Sequence, residues 1–291
     1  MQAAAILAQY RERLEAQALA ASLTAGENPC LELMTMLLAA PRELWPDLDL
    51  EERRRELASL FSWGVPNDRA LEVLVAHAPL VECGAGMGYW SALLRARGVD
   101  VLAYDAAPPG TSSNAYHRLP RSPWTAIEAQ DSMIAARRHG DRTLVLCWPP
   151  FDDDASSYAV LRAYRGDKLV FIGEGATGSV RFHRELALNW SLEEEVRLPN
   201  WPGLRDTLMV YQRNAVRRPL RERDRCFDCH RFIPTGAIGR CDWCFARKPA
   251  ALAVQVGKHR VEYVQEMLDA MPAESRRALE ESPNRINAKR S

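Results

Sequence analysis

"LVECGAGMGYWSALL", residues 80–94, decides how this chain is expected to fold. An apolar run containing one acid, Glu82, is followed by glycine at every second position, Gly84, Gly86 and Gly88, and then by a helix-like pattern. Glycine adopts positive φ angles readily and lets a backbone turn sharply with no Cβ in the way. The stretch therefore predicts a strand that ends in a tight turn, where the backbone and the start of the next helix face a ligand.

The rest of the chain alternates short apolar runs with helical patterns, which is typical of an α/β fold with a doubly wound, mostly parallel sheet. Two late runs, "SLEEEVRLP" and "DTLMVYQRN", have a short connection and predict an antiparallel strand at the end. Residues 1–62 are expected to form an N-terminal helical region, and residues 63–214 the sheet domain. Residues 215–250 are rich in cysteine, and residues 251–291 predict a short helix and a tail.

The glycine pattern does not fit the two commonest nucleotide-binding turns. The dinucleotide fingerprint would place glycine or alanine at Tyr89, and the phosphate loop needs a G-K-[ST] sequence that is missing here. An acid at a strand end followed by G-x-G-x-G resembles motif I of class I S-adenosylmethionine-dependent methyltransferases. The resemblance implies that Glu82 contacts the amino-acid part of S-adenosylmethionine and that the three glycines lie close to it.

Further cofactor contacts follow from the same resemblance. The second strand, "VLAYD", ends in Asp105, where an acid of this family holds the two ribose hydroxyls. Residues after the third strand often meet the adenine, which points to Gln130 or Asp131, although Asp131 is equally suited to cap the following helix. Cys147, at the end of the fourth strand, is included with the cofactor contacts, and its residue type alone favours a buried thiol.

The end of the fourth strand, "CWPPF", resembles motif IV of amino-methyltransferases, in which Asn or Asp, two prolines and an aromatic hold a planar amine. Pro149, Pro150 and Phe151 match, and they are expected to line the acceptor side of the site. Trp148 stands where Asn or Asp is expected, and an indole donates a hydrogen bond but accepts none. Asp152, the first of three consecutive aspartates, is the candidate for the missing acceptor or general base, and helix capping is the alternative role of this run.

Charge and hydropathy exclude some classes of protein. The 291 residues have no net charge, but from Arg213 onward there are 17 basic and 10 acidic residues, which favours either a solvated tail or an anionic partner. No run of 18 apolar residues occurs, so no membrane span is expected. The N-terminus becomes charged too early for a signal peptide, so we expect a cytoplasmic protein with reduced cysteines.

Four of the seven cysteines form two C-x₂-C pairs, which predict a structural zinc ion held by Cys226, Cys229, Cys241 and Cys244. Each pair can present two thiolates from a tight turn, and two such turns complete a tetrahedral site with no open position for catalysis. The module resembles small zinc ribbons that contact nucleic acid or other proteins. Six arginines in residues 213–225 would suit phosphates, or equally the acidic first part of the chain.

These patterns favour an S-adenosylmethionine-dependent methyltransferase of unassigned substrate, with a weak preference for nucleic acid as the acceptor. The alternative is a methyltransferase-like scaffold without activity that binds nucleic acid or protein through its zinc module, and Trp148 is the residue that supports it. A nicotinamide-dependent oxidoreductase is a third reading, which Tyr89 in the glycine turn disfavours.

Overall fold

The computed structural model describes residues 2–19, 23–24, 26–111, 122–151, 153–175 and 177–215. Asp152 and the four cysteines of the predicted zinc module, Cys226, Cys229, Cys241 and Cys244, lie outside the described residues. The zinc module and the C-terminal helix therefore stay predictions from the sequence.

The N-terminal part of the chain is helical, as its amphipathic pattern predicts. Asn28 and Asp49 begin two of these helices, since their side chains accept hydrogen bonds from the backbone N–H of Leu31 and Glu52. The elements are α1 (Gln2–Leu19), α2 (Pro29–Leu38), a 3₁₀ turn (Arg42–Leu44), α3 (Trp45–Leu48) and α4 (Leu50–Leu60).

Strands and helices then alternate. The elements are α5 (Asp68–Ala76), β1 (Leu80–Cys83), α6 (Tyr89–Arg95), β2 (Val101–Asp105), β3 (Glu128–Ala129), α7 (Ser132–Arg138), β4 (Thr143–Cys147), α8 (Tyr158–Ala163), β5 (Lys168–Gly173), α9 (Val180–Asn189), β6 (Trp190–Arg197) and β7 (Thr207–Arg213).

The strands form one seven-stranded sheet in the order β3-β2-β1-β4-β5-β7-β6. Strands β1 to β5 pair in parallel, and β7 is antiparallel to both β5 and β6. The α/β doubly wound prediction and the antiparallel strand near the end are confirmed. From β1 the chain moves outward to β3 and then returns to β4 on the other side of β1, so the crevice expected to bind a ligand lies at the carboxyl ends of β1 and β4.

Helices cover both faces of the sheet, because alternate strand residues point to opposite sides. Leu80, Val145 and Val170 pack against the helices α2, α4, α5 and α6. Val81 and Phe171 belong to the core of the other face, under α7, α8 and α9. Helix α4 therefore lies on one side of the sheet, and helices α7 and α8 lie on the other.

The third strand is shorter than its sequence pattern suggests. "TAIEAQD", residues 125–131, predicts a full strand, but only Glu128–Ala129 pairs with β2. Arg95 bonds to the residues just before this strand, since its Nη1 donates to Thr125 Oγ1 and to the carbonyl of Ala126. The Ala126 carbonyl is therefore bonded to a side chain and not to strand β2.

None of the helices within the described ranges combines the length and apolar character needed to cross a membrane.

Candidate functional site

The glycine turn connects β1 to α6 at the carboxyl edge of the sheet. All three glycines adopt left-handed backbone conformations, with φ of 75°, 54° and 67° at Gly84, Gly86 and Gly88. A Cβ on Gly88 would lie 3.0 Å from Ile127 Cδ1, whereas a Cβ on Gly84 would meet no atom within 4 Å. Gly88 is thus required by packing, while Gly84 is exposed and faces open space, as a turn that lies against a ligand requires.

Glu82 lies beneath this turn at the end of β1 and is only 3% exposed. Its Oε2 accepts a 2.5 Å hydrogen bond from the Ser91 hydroxyl of α6. Burial raises the pKa of Glu82 to about 7, and the hydrogen bond from Ser91 acts in the opposite direction. Among the described residues no basic side chain lies within ion-pair distance of Glu82, so its charge has no fixed counterion there.

Asp105 ends β2 beside the glycine turn. Its Oδ2 accepts a hydrogen bond from the Gly86 N–H at 2.8 Å, and its Oδ1 accepts one from the Ala107 N–H, also at 2.8 Å. An ionised carboxylate has about four lone-pair positions, so each oxygen can accept one more hydrogen bond. Asp105 therefore fixes the turn and still has capacity for two hydroxyl donors.

The remaining predicted cofactor contacts are less well placed. Asp131 is exposed and caps α7, since its Oδ1 accepts from the backbone N–H of Met133 and Ile134. The capping alternative for Asp131 thus describes its position. The Gln130 N–H donates to the carbonyl of Asp105, and Gln130 Oε1 accepts from Arg138 Nη1 at 3.4 Å. The side chain of Gln130 is therefore engaged with α7.

Cys147 ends β4 on the same face of the sheet as Glu82, because Glu82 pairs with Val145. The Cys147 Sγ lies 3.9 Å from the Ser62 hydroxyl. A Cβ on Gly64 would lie 3.5 Å from the same sulfur, and burial raises the pKa of the Cys147 thiol. Cys147 therefore lies against the segment that joins α4 to α5 as a protonated thiol.

Three features fit S-adenosylmethionine, the cofactor that motif I implies. An uncompensated buried carboxylate at Glu82 suits a cationic amino-acid group, and Asp105 retains acceptor capacity for a ribose diol. No protein atom lies within 4 Å of the position that a Cβ on Gly84 would take, so this space is open to a ligand. The residues present therefore fit the cofactor at the ends of β1 and β2.

Trp148, directly after β4, has a left-handed backbone conformation with φ of 49°, which is strained for a bulky residue. Its indole Nε1 donates a 3.0 Å hydrogen bond to Asp206 Oδ1, and its ring stacks on Trp63 with centroids 5.7 Å apart. The backbone N–H of Trp148 donates to the carbonyl of Ile172 on β5. The strained conformation is thus held by contacts on three sides.

The other motif IV residues lie at the same edge. The Pro149 carbonyl accepts a 2.9 Å hydrogen bond from the Gly178 N–H. Phe151 is partly exposed. Asp153 accepts from the Ala155 N–H and from the Ser156 hydroxyl, and Asp154 pairs with Arg181. Both aspartates therefore make local contacts in the segment before α8.

Two buried acids, which no sequence motif brings together, lie near Trp148. Glu174 follows β5 and Asp206 precedes β7, and the pairing of Gly173 with Thr207 brings them to the same edge of the sheet. They are 4% and 1% exposed. Burial and, to a smaller extent, the nearby charge of Glu174 raise the pKa of Asp206 to about 8. "GLRDT" carries no local signal for this role, because only the antiparallel return of β7 places Asp206 there.

An arginine from the helical N-terminal part closes this side of the site. The Arg54 guanidinium of α4 lies over both indoles, 5.0 Å from the Trp63 ring centroid and 5.1 Å from that of Trp148. The Trp90 Nε1 donates to the Ser62 hydroxyl and to the carbonyl of Gly64, which fixes the segment between α4 and α5 over β4.

The described part of the chain contains no group of three or more His, Cys, Asp or Glu side chains arranged to hold a metal ion. The zinc ligands predicted from the sequence all follow residue 215.

No protein-family model matches the chain, and no curated protein matches its sequence. Solved structures do match. M. capricolum TrmK in complex with S-adenosylhomocysteine aligns at 11% identity with a TM-score of 0.38, over 74% of this chain and 92% of that chain. Burkholderia thailandensis 1,6-didemethyltoxoflavin-N1-methyltransferase with S-adenosylhomocysteine gives 18% identity and 0.38, over 60% and 91%.

Magnesium protoporphyrin IX methyltransferase of Synechocystis with bound SAM aligns at 12% identity with a TM-score of 0.35, over 61% of this chain and 88% of that chain. Identities of 11% to 18% with TM-scores of 0.38 or less are too low for a function to be carried from these proteins to this chain.

Proposed function

We propose that this chain is an S-adenosylmethionine-dependent methyltransferase. The observation that carries the proposal is the juxtaposition of Glu82, the open turn at Gly84 and Asp105 at the ends of adjacent parallel strands. Glu82 would bind the ammonium group, the glycine turn would lie along the cofactor, and Asp105 would accept from the ribose hydroxyls. Bound S-adenosylmethionine supplies an electrophilic methyl group on a sulfonium sulfur.

The acceptor would lie over β4, β5 and β7, next to the cofactor half of the edge. Trp148 gives no lone pair to an amine, but its indole N–H holds Asp206 in place. Asp206 is the group that we expect to hydrogen-bond to the acceptor, because a carboxyl group that keeps its proton at neutral pH can both donate and accept. It can act as a general base only as the pH approaches its pKa of about 8. The indoles of Trp63 and Trp148 stack on each other at this side of the site.

Titration calorimetry with S-adenosylmethionine and S-adenosylhomocysteine tests the cofactor site. Glu82→Gln removes the charge and keeps the shape, so we expect affinity for S-adenosylmethionine to fall about 10- to 100-fold, as for loss of a charge-assisted hydrogen bond. The affinity of the wild type should rise as the pH increases through 7, because Glu82 becomes ionised there, and Glu82→Gln should remove that rise.

Two variants serve as comparisons. Asparagine is the better replacement for Asp105, because Asp105→Asn keeps a side-chain oxygen that can accept from the glycine turn. Asp105→Ala would leave the Gly86 and Ala107 N–H groups without this acceptor. Glu72→Gln makes the same acid-to-amide change on the exposed side of α5 and should leave binding unchanged. A folded wild-type protein that binds neither S-adenosylmethionine nor its product would overturn the proposal.

A methyltransferase-like scaffold without activity is the second candidate, and Trp148 is the observation that favours it. Its indole occupies the position of the amine-holding side chain and donates to Asp206. If the chain is a scaffold, it binds S-adenosylmethionine but transfers no labelled methyl group to RNA, protein or metabolite pools. Methyl transfer by the wild type that Asp206→Asn abolishes, with cofactor affinity retained, would exclude the scaffold.

A further inference from the structure

A groove on the face of the sheet away from Trp63 and Arg54 is lined by four arginines. It lies between α7 and the end of α8, has a volume of about 620 Å³, and is lined by Met133, Ile134, Arg137, Arg138, Arg162 and Arg165, together with Ala163. All four arginines are exposed, and no acid is among these lining residues of the described chain. A cavity of this composition attracts an anion that is longer than a single small ion.

The arginines differ in how they are engaged. Arg162 is 3.3 Å from Glu185, and Arg138 donates to Gln130 at 3.4 Å. Arg137 and Arg165 make no ion pair or side-chain hydrogen bond with any other described residue. Within the described part of the chain, these two guanidinium groups can therefore bind a partner without breaking an ion pair.

The groove runs toward the candidate site. Helix α7 starts just after β3, at the carboxyl edge of the sheet, where the Gln130 N–H donates to the carbonyl of Asp105. Met133 and Ile134 lie at that end, and Arg137 and Arg138 lie one turn further along the helix. A chain of phosphates along α7 would thus lead to the edge of the sheet that holds the glycine turn.

The other end of the groove lies near the end of β7. Arg213 Nε donates to the carbonyl of Gly166, and its Nη2 donates to that of Tyr164, both at 2.8 Å. The chain therefore leaves β7 next to Arg165, and five arginines follow between residues 217 and 225.

We propose that this groove binds the sugar–phosphate backbone of a nucleic acid, which makes RNA or DNA the methyl acceptor. The identification of RNA or DNA as the methyl acceptor rests on the proposed function, but the binding of nucleic acid to the groove does not depend on S-adenosylmethionine. Guanidinium groups bind phosphate oxygens through charge-assisted hydrogen bonds, and the apolar residues Met133 and Ile134, each 44% exposed, suit the sugar edge.

Fluorescence anisotropy with a labelled RNA hairpin, in the absence of S-adenosylmethionine, tests the groove. Arg137→Gln combined with Arg165→Gln should weaken binding roughly 20- to 60-fold at about 0.1 M salt, because each lost contact removes about 0.7 to 0.9 from the slope of log K against log salt. The matched control, Arg11→Gln combined with Arg13→Gln, removes the same charge from exposed positions on α1, which belongs to the opposite face.

Each result decides the matter. A specific fall in RNA affinity and in the salt slope, with an unchanged melting temperature and unchanged calorimetric binding of S-adenosylmethionine, supports the groove. Equal RNA binding by the wild type and the groove variant overturns it, as does a wild type that binds neither the RNA hairpin nor a DNA hairpin of the same sequence in this assay. Binding of polyglutamate as tight as that of RNA also overturns it, since the surface would then suit acidic peptides. A loss of S-adenosylmethionine binding alone would reject only the proposed function.

Discussion

Ionisation of the Asp206 carboxyl group is unfavourable, because the group is buried and lies close to a second acid, Glu174. Burial and Glu174 raise its pKa from 3.8 to about 8, while Arg54 and Trp148 lower it. At neutral pH the folded chain therefore keeps a proton on Asp206 that the unfolded chain loses. The contribution of Asp206 to stability therefore falls as the pH rises from about 4 to about 8, because the native state holds this proton over that range.

Asp206→Asn should reduce this fall in stability. The amide keeps an oxygen for the Trp148 indole but cannot ionise, so the melting temperature of the variant should change less between pH 5 and pH 8 than that of the wild type. Differential scanning calorimetry over this range measures the difference, and Glu82 contributes equally to both proteins. Asp141→Asn, at an exposed position, should follow the wild type. Identical pH profiles for Asp206→Asn and the wild type would contradict the environment described for Asp206.

At the scale of elements, local patterns predicted most of the fold and half of the site. The strands and helices of the sheet, the glycine turn at its first loop and the cap at Asp131 depend on neighbours in sequence, and the sequence shows them. The shortened β3 depends on Arg95, about 30 residues away, and the position of Asp206 depends on the return of β7 beside β5. No local pattern encodes either contact, so both required the structure.

The glycine turn permits a matched test at the same scale. Gly84 and Gly98 have nearly the same φ, 75° and 76°, and a Cβ at either would meet no atom within 4 Å. Gly84→Ala and Gly98→Ala should each cost about 1 to 2 kcal/mol of stability, because an L-residue is strained there. Only Gly84→Ala should weaken S-adenosylmethionine binding, since its methyl group enters the space expected for the cofactor.

Urea unfolding and titration calorimetry on the two alanine variants check both parts of this prediction. Equal losses of stability with unequal losses of affinity would place a ligand over Gly84. If both variants bind S-adenosylmethionine like the wild type, the space above Gly84 is not used by the cofactor.

At the scale of the whole molecule, charge is divided along the chain. Because the total is zero and residues 213–291 carry 17 basic and 10 acidic residues, the part that precedes them is acidic. An acidic domain repels a nucleic acid on average, so binding must come from local basic surfaces such as the groove of Arg137 and Arg165. Surface contacts of this kind weaken with salt, which is why the slope is measured as well as the affinity.

The cysteine spacing gives a prediction for the rest of the chain. We expect the wild type to hold one zinc ion, and Cys226→Ser combined with Cys241→Ser to lose it, because each knuckle then keeps a single thiolate. Elemental analysis of dialysed protein measures the zinc content. Cys147→Ser, in the described part of the chain where no metal-binding group occurs, should keep its zinc.

S-adenosylmethionine affinity should survive the loss of zinc, because Glu82, Gly84 and Asp105 are positioned by contacts among residues before 216. Zinc-free wild type, or zinc retained by the double variant, would show that these cysteines do not form the metal site.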